Sequence, residues 1–452
     1  MSFIIKYHVA LPHFRISDKI LHPRTGREVQ HAVCYTDEDI ITLAYQAAEQ
    51  VVAPNIDAVL FATATPVFKG RYHASYLADL LGLPDGITAL DLGTTNRAGT
   101  DALLLADALI ASGRHQHILV VASDVRFPSI GKETATPFGH GAVAMLVSKD
   151  EGIAQITGAA SFSEGLAEEF TYKEAPVEYD ARFARVAGFM NNMTKVLAGL
   201  APETIHRLIL NSAYAKLLST TLKKAGYNLE KQVAPDNLVA QCGYLGAAHC
   251  LLRLVYAIES PPGVSVLVDY NNGSNVISIN VLKQAFPVLD MLNNHRPLTC
   301  YQDYLALRKQ GKFDGKAYQS IEMFSSEMMQ EREKNQFLQL KSFACKNCGT
   351  VYYLKSARCN HCKGTEFEAK QMAKTGTVYT LTSEHFFPAS FPPTNMIVLD
   401  LDGGGRLTLQ QTDDLYQDEQ TEISIGDRVK LVLRKMMEND RKPNYFWKCV
   451  KL

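Results

Sequence analysis

The sequence predicts an α/β domain made of two similar halves, followed by a helical connector and a small all-β region. Short β-branched runs alternate with helical patterns through residues 1–285, which is typical of α/β folds. Within that region a strand–loop–apolar helix–strand–strand order occurs twice, which indicates an internal duplication. After residue 343 the helical patterns stop and five short strand patterns follow.

The composition is that of a globular protein and excludes several classes of function. The chain has 452 residues, 46% of them hydrophobic and 21% charged, which corresponds to about two or three domains. Its 46 Lys plus Arg nearly balance 47 Asp plus Glu, so no net field attracts nucleic acid or a membrane surface. No apolar run approaches the roughly 18 residues of a membrane span, and the first residues lack a signal-peptide pattern. We therefore predict a cytoplasmic protein.

The elements of the two halves follow from the spacing of their apolar residues. The first half contains a helix at 40–51, a strand at 59–63, a helix at 73–81, a strand at 89–92, a polar loop at 93–99, an apolar helix at 100–112 and strands at 118–122 and 142–147. The second half contains a strand at 208–211, a helix at 213–225, a small-residue loop at 242–248, an apolar helix at 249–258 and strands at 264–269 and 276–281. The two apolar helices occupy equivalent positions, so we expect two stacked halves with equivalent central helices.

Four cysteines carry the strongest local signal in the chain. They are Cys345, Cys348, Cys359 and Cys362, a C-x₂-C pair repeated after ten residues. Each pair places two thiolates on one tight turn, so four sulfurs can surround one Zn²⁺. We predict a structural zinc ribbon, since two paired knuckles fit a closed metal site better than a redox motif.

The C-terminal strands predict a small barrel of the OB type. They lie at 377–382, 396–401, 406–410, 428–433 and 445–450, with a glycine-rich hairpin turn at 402–405. Residues 343–452 contain 15 basic and 13 acidic residues, a small positive balance for binding a phosphate backbone, so we do not predict nucleic-acid binding. The polar helical stretches at 289–312 and 317–340 are interpreted as a connector. The predicted domains are thus 1–285, the connector 286–342, the zinc ribbon 343–370 and the OB fold 371–452.

Several motifs carry a resemblance to known families. In residues 1–285 they lie at 35–39, 63–66, 80–84, 121–126, 138–142 and 246–248, and this part resembles HMG-CoA synthases and ketoacyl-ACP synthase III of the thiolase superfamily. In the C-terminal part they lie at 345–362, 374–378, 398–404, 425–429 and 445–448. That part resembles the zinc-ribbon plus OB-fold family found beside thiolases in acyl-CoA metabolism. The resemblance implies a thiolase-like duplicated fold, which agrees with the halves derived above.

The resemblance also implies a catalytic cysteine, histidine and asparagine, and this sequence has other residues at those positions. Asn96 stands where the nucleophilic cysteine belongs, Asn211 where the histidine would be, and Tyr244 where the asparagine precedes the loop residues Leu245-Gly246. An amide is neither a nucleophile nor a base near neutral pH. The two cysteines near the loop, Cys242 and Cys250, are interpreted as core thiols rather than as replacements.

We therefore expect a catalytically degenerate component of a thiolase-type acyltransferase complex, which assists acyl-CoA binding or channelling. By resemblance it would form a homodimer through residues 1–285 and bind a thiolase-type catalytic subunit through its C-terminal part, with structural zinc and a coenzyme A thioester as ligands. The alternative is an active acyl-CoA condensing enzyme with its chemistry relocated to Cys242 or performed without covalent capture.

Overall fold

The computed structural model divides the chain into two compact units that are interleaved in sequence. Unit 1 comprises residues 1–33, 47–78 and 83–298, and unit 2 comprises residues 34–46, 79–82 and 299–452. The structure describes residues 2–131, 133, 138–172, 175–212, 214–235, 237–283, 285, 287–308, 327–354, 356–386, 391–438 and 443–452.

Unit 1 is built on a ten-stranded sheet with the order β12-β11-β13-β14-β8-β1-β7-β6-β4-β5. The strands of unit 1 are β1 Ser2–Ala10, β2 Phe14–Ser17, β3 Gln30–Val33, β4 Ala58–Thr63, β5 Thr88–Gly93, β6 His117–Asp124, β7 Gly141–Ser148, β8 Ala154–Ser163, β9 Glu169–Tyr172, β10 Ala175–Glu178, β11 Arg207–Asn211, β12 Val233–Ala234, β13 Gly263–Tyr270, β14 Gly273–Val281 and β15 Arg296–Pro297. Two smaller sheets pair β9 with β10 and place β2 between β15 and β3.

The large sheet confirms the internal duplication. In chain order, the first half contributes strands β1, β4, β5, β6 and β7, and the second half contributes β8, β11, β12, β13 and β14. When the strands are numbered one to five within each half, both halves show the same spatial order, third-second-fourth-fifth-first. In both halves the third and fourth strands pair with the second in parallel, and the fifth pairs with the fourth and first antiparallel. The halves join where β1 pairs antiparallel with β8 through three residue pairs.

The two apolar helices pack against each other in the core of unit 1, as predicted. The α-helices of the chain are α1 Asp18–Leu21, α2 Ile40–Ala48, α3 His73–Leu80, α4 Ala98–Ala111, α5 Ala181–Phe183, α6 Asn191–Ala198, α7 Ser219–Lys224, α8 Leu238–Cys242, α9 Ala247–Glu259, α10 Tyr301–Leu307, α11 Glu327–Arg332 and α12 Lys334–Phe337. Helices α4 and α9 approach so closely that a Cβ on Gly99 would lie 2.2 Å from the carbonyl oxygen of Ala247. Only glycine fits there, and the contact fixes the start of one helix against the start of the other.

Unit 2 contains a three-stranded ribbon sheet and a closed five-stranded barrel. The ribbon strands are β16 Lys341–Cys345, β17 Val351–Tyr352 and β18 Phe367–Gln371; the barrel strands are β19 Thr375–Glu384, β20 Thr394–Leu401, β21 Arg406–Gln411, β22 Arg428–Glu438 and β23 Pro443–Lys451. Barrel closure follows the order β19-β20-β21-β23-β22. All five predicted barrel strands and the hairpin turn at 402–405 are confirmed.

An early segment of the chain, residues 34–46, belongs to unit 2 through a cluster of buried charges. Lys448 lies 2.9 Å from a carboxylate oxygen of Asp37 and 2.8 Å from one of Asp413, and Arg434 lies 2.9 Å from a carboxylate oxygen of Glu38. All of these groups except the partly exposed Asp413 are almost fully buried. We call them the barrel charge cluster. These ion pairs hold residues 34–46 against the barrel. Without that segment, the barrel cations Lys448 and Arg434 would each lose an acidic partner.

Some sequence predictions differ from the structure. Strands β1 and β8, which join the two halves, were not predicted, and the helix predicted at 213–225 is a short 3₁₀ turn, Ala215–Leu218, followed by α7. In the predicted connector, short helices take the place of the two long stretches, and residues 309–326 lie outside the described part. None of the helices in the described residues is long and apolar enough to cross a membrane.

Candidate functional site

The first candidate site residue, Asn96, lies just before the N-terminus of the buried helix α4. The chain turns between β5 and α4 through Thr94, whose φ of 77° is left-handed, and Asn96 is partly exposed. The next residue, Arg97, donates from Nη1 to the carbonyl of Asn272 at 3.1 Å and approaches Asp101 at 3.5 Å. The residues that precede this 14-residue helix therefore carry an amide and a guanidinium, neither of which can attack a thioester.

The other two candidates, Asn211 and Tyr244, are brought together by the fold. Asn211 ends β11 and is 1% exposed; burial raises the pKa of Tyr244, and that rise is opposed by the side-chain amide of Asn211. Its Nδ2 also donates to Asp269 at 2.9 Å. No hydrogen bond or ion pair among the described residues joins Asn96 to either of them. The structure thus unites two of the three positions into one group and leaves Asn96 outside their hydrogen-bond network.

Asp269, at the end of β13, is the centre of this group. It accepts hydrogen bonds from Thr100 Oγ1 at 2.7 Å and from Asn211 Nδ2 at 2.9 Å. Burial raises the pKa of Asp269 to about 6, because the carboxylate loses its hydration there, and the hydrogen bonds from Thr100 and Asn211 oppose that rise. Thr100 in turn accepts from Asn275 at 2.9 Å. Sequence reasoning missed the roles of Thr100 and Asn275, because both side chains act only through tertiary contacts.

The cysteines near the loop do not supply a thiolate. Cys242 and Cys250 are both fully buried, and their thiols donate to the carbonyls of Leu238 and Ala247, each at 3.2 Å. Burial and the nearby Asp269 raise the pKa of Cys250 well above its usual value. A nucleophilic cysteine needs the opposite environment.

Asp124, at the end of β6, connects the two halves beside this site. One of its oxygens accepts from Thr63, Thr65 and two backbone amides, and the other accepts from the amide of Ala247 at 2.5 Å. Gly246 has φ +56°, and a Cβ there would lie 2.2 Å from the carboxylate. The small-residue loop is therefore needed because a buried carboxylate packs against it and fixes the start of α9.

The second candidate site is the cysteine cluster of unit 2. The sulfur atoms of Cys345, Cys348, Cys359 and Cys362 all lie within 4.8 Å of one another. Two pairs, Cys345 with Cys362 and Cys348 with Cys359, are each 3.5 Å apart. Sulfurs bonded to one tetrahedral zinc at about 2.3 Å would be roughly 3.8 Å apart. The four sulfurs could therefore hold one metal ion.

The two knuckles of the cluster have the same backbone geometry. In the first, the amide of Gly349 bonds to the carbonyl of Cys345 at 2.8 Å; in the second, the amide of Lys363 bonds to the carbonyl of Cys359 at 2.9 Å. Gly349 and Lys363 both have φ near +70°, at 73° and 65°. Sequence reasoning missed a supporting group: the hydroxyl of Tyr352 lies 3.3 Å from Cys359 Sγ and accepts from the amide of Asn360. Such bonds orient a metal-binding sulfur.

Comparison with known proteins agrees with both parts of this description. Residues 90–165 match the family described as 3-oxoacyl-[acyl-carrier-protein] synthase III, and residues 369–434 match the ChsH2 C-terminal OB-fold domain. A hydroxymethylglutaryl-CoA synthase from Methanopyrus kandleri is 22% identical over 69% of this chain and 98% of its own length. The chain is an HMG-CoA synthase-like domain fused to an OB-fold domain.

Solved structures show that the synthase-like domain has the fold of its relatives. An HMG-CoA synthase from Bacillus subtilis, PksG, superposes with a TM-score of 0.57 at 16% identity, over 68% of this chain and 88% of its own. MvaS in complex with 3-hydroxy-3-methylglutaryl coenzyme A gives a TM-score of 0.56 at 19% identity, over 68% of this chain and 91% of its own. At these identities the comparison establishes the fold of the synthase-like domain, and its chemistry rests on its own residues.

Proposed function

We propose that this chain is a non-catalytic, acyl-CoA-binding component of a thiolase-type acyltransferase complex. The observation that carries the proposal is the set of residues at the family's catalytic positions, Asn96, Asn211 and Tyr244. No member of this set can act as nucleophile or base near neutral pH: Asn96 and Asn211 are amides, and burial raises the pKa of Tyr244 well above 10. The chain is similar to HMG-CoA synthases, one of them solved in complex with 3-hydroxy-3-methylglutaryl coenzyme A, and this similarity supports acyl-CoA binding without covalent catalysis.

The alternative is an active condensing enzyme with a relocated or non-covalent mechanism. Asp269 favours it in one respect, because a buried carboxyl with a pKa of about 6 is a candidate acid or base. Against a relocated nucleophile stands the burial of Cys242, whose thiol bonds to its own helix.

Turnover measurements separate the two functions. The purified full chain, given acetyl-CoA and acetoacetyl-CoA, should show neither condensation nor thiolysis. Asn96→Cys should restore little, because Asn211 supplies no base. Turnover by the unmodified chain that disappears in Cys242→Ala would establish a relocated nucleophile; turnover that survives Cys242→Ala but disappears in Asp269→Asn would establish non-covalent catalysis.

Zinc as the metal of the cysteine cluster is part of the proposal. A donor set of four cysteines in a compact cluster suits zinc, and its binding would stabilise the ribbon because metal binding and folding are linked. Elemental analysis of freshly purified protein should find one zinc per chain, and Cys348→Ser should lower that content. Cys300→Ser, which removes a thiol outside the cluster, is the matched control. Absence of zinc, or unchanged zinc in Cys348→Ser, would reject the assignment.

A homodimer through the synthase-like domain is supported by an open edge of β8. Strand β8 pairs with β14 along its length, whereas β1 covers its other edge only as far as Ile156. Residues 157–161 beyond that point are exposed and small or polar. An open strand can pair antiparallel with its own copy across a two-fold axis. Light scattering should give a dimer, and Ala159→Pro should weaken it whereas Ala201→Pro should not; a wild-type monomer would contradict the proposal.

Docking of a thiolase-type subunit through the OB-fold domain completes the proposal. Ile425 and Phe386 are 67% and 97% exposed, so apolar surface is available on the barrel. The full chain should be used, because truncation at 285 would remove the cations that face Asp37 and Glu38. The wild-type protein should co-purify from its host with a protein identified as a thiolase. Phe386→Ser with Ile425→Ser should reduce that recovery, and Phe183→Ser, at an exposed position of unit 1, should not.

A further inference from the structure

The four sulfurs of the cysteine cluster differ in their access to water. Cys345 and Cys359 are 2% and 0% exposed and Cys362 is partly exposed, whereas Cys348 is exposed. The rest of its knuckle, residues 346–349, is exposed as well. A small reagent dissolved in water therefore meets Cys348 first.

The exposed sulfur has a second sulfur directly behind it. Cys348 Sγ lies 3.5 Å from Cys359 Sγ, and a disulfide bond of about 2.05 Å needs an approach of about 1.5 Å. The first knuckle has room for this shift, because in the described part of the chain nothing lies within 4 Å of a Cβ added to Gly349. The other pair at 3.5 Å, Cys345 with Cys362, has no fully exposed member.

Two hydroxyl groups contact the same two sulfurs. Thr350 Oγ1 lies 3.1 Å from Cys348 Sγ, and the Tyr352 hydroxyl lies 3.3 Å from Cys359 Sγ. The Tyr352 oxygen accepts from the amide of Asn360 at 2.8 Å, which leaves its own proton for the sulfur. Hydroxyl donors hold the two sulfurs in place as thiolates, the form that binds a metal and that an oxidant attacks.

We propose that the cysteine cluster is a peroxide-sensitive metal site, in which Cys348 is oxidised first and Cys359 then closes a disulfide. The Cys348 thiolate attacks one oxygen of hydrogen peroxide; the O–O bond breaks, a sulfenic acid forms and hydroxide leaves. The Cys359 thiolate attacks the sulfenic sulfur; the S–O bond breaks, the disulfide forms and a second hydroxide leaves. The two thiolates lose two electrons in total, and the peroxide gains them.

Loss of two of the four sulfurs releases the metal, which gives the ribbon a regulatory role. The inference rests on the proposed zinc assignment and deepens it. Strand β17 follows the first knuckle, and its Val351 lies against the barrel hairpin turn: a Cβ on Gly404 would be 3.2 Å from Val351 Cγ2. A Cβ on Gly405 would be 2.8 Å from Cε of Met372, which follows β18. A shift of the first knuckle therefore changes the packing of the ribbon on the barrel.

Titration of the full, zinc-bearing chain with hydrogen peroxide tests the inference, with released zinc measured by a chromogenic chelator. We expect one zinc to be released per disulfide formed, and a thiol reductant with added zinc to restore binding. Peptide mapping without reduction should find Cys348 linked to Cys359, and dimedone, which traps sulfenic acids, should label Cys348. Cys300→Ser removes a partly exposed thiol outside the cluster and should leave the rate of zinc release unchanged.

The disulfide map of the wild-type chain decides the pairing, because Cys348→Ser removes a metal ligand as well as the reacting sulfur. Zinc that stays bound while Cys300 becomes oxidised would overturn the inference and leave the zinc assignment standing. Release with a Cys345–Cys362 disulfide alone, or with no disulfide, would have the same consequence. Absence of zinc from the freshly purified chain would overturn both.

Discussion

Buried acidic groups in the two units are satisfied in different ways. In the barrel charge cluster of unit 2, Asp37 lies 2.9 Å from Lys448 and Glu38 lies 2.9 Å from Arg434, so each carboxylate faces a cation. In unit 1, Asp269 is equally buried, but its hydrogen-bond partners Thr100 and Asn211 are both neutral.

The difference separates a structural role from a binding role. A buried carboxylate that contacts a cation, as in the barrel charge cluster, joins two chain segments and needs no ligand to neutralise it. A buried carboxylate among neutral partners keeps a raised pKa, and its neighbour Asn211 keeps an unused acceptor. Such an arrangement is retained at a cost in stability, which is typical of functional sites.

The largest expected effect is on the stability of unit 2, through the barrel charge cluster. Lys448→Met removes one cation between Asp37 and Asp413 and leaves two carboxylates without it. We expect unit 2 to lose about 3–5 kcal/mol of unfolding free energy, measured by denaturant titration. Lys451→Met, on the same strand and paired with Asp427 at a partly exposed position, should lose less than about 1 kcal/mol. Equal effects of the two substitutions would show that the cluster is not held by its charges.

In unit 1, the unfolding free energy should depend on pH through Asp269. The pKa of Asp269 is raised to about 6 in the folded chain, against 3.8 ordinarily. The folded state therefore holds the proton more tightly, and stability falls as the pH rises from about 4 to about 6. At about 1.4 kcal/mol per pKa unit, this loss is about 3 kcal/mol. The difference in unfolding free energy between wild type and Asp269→Asn should fall by that order over this interval; a difference independent of pH would contradict the raised pKa.

The smallest expected effect compares two buried tyrosine hydroxyls. Tyr445 donates to Asp39 at 2.6 Å in unit 2, whereas among the described residues the hydroxyl of Tyr227 in unit 1 has no partner. Tyr445→Phe should cost about 1–3 kcal/mol, because it leaves a carboxylate oxygen unsatisfied. Tyr227→Phe should be neutral or slightly stabilising. Thermal or denaturant unfolding of both variants measures the contrast, and a larger loss for Tyr227→Phe would contradict it.

The sequence predicted most of the fold because the decisive patterns are local. Ribbon spacing places all four cysteines within 18 residues, and the barrel strands alternate clearly. Strand β8 was missed because its residues 157–161 are small, polar and exposed, so they form no apolar run. The pairing of Asn211 with Tyr244 was missed for another reason: these residues are far apart in sequence, and only the packing of α9 against β11 and β13 brings them together.

In the proposed function, the synthase-like domain binds an acyl thioester without covalent capture. Intact-mass spectrometry of the full chain after incubation with acetyl-CoA or acetoacetyl-CoA tests it most directly, with binding of the same ligands followed in parallel by calorimetry. We expect the ligand to bind while the protein mass stays unchanged, because Asn96 offers no nucleophile and the thiols of Cys242 and Cys250 are buried. A stoichiometric acyl adduct that maps to Cys242, Cys250 or the region of Asn96 would contradict it.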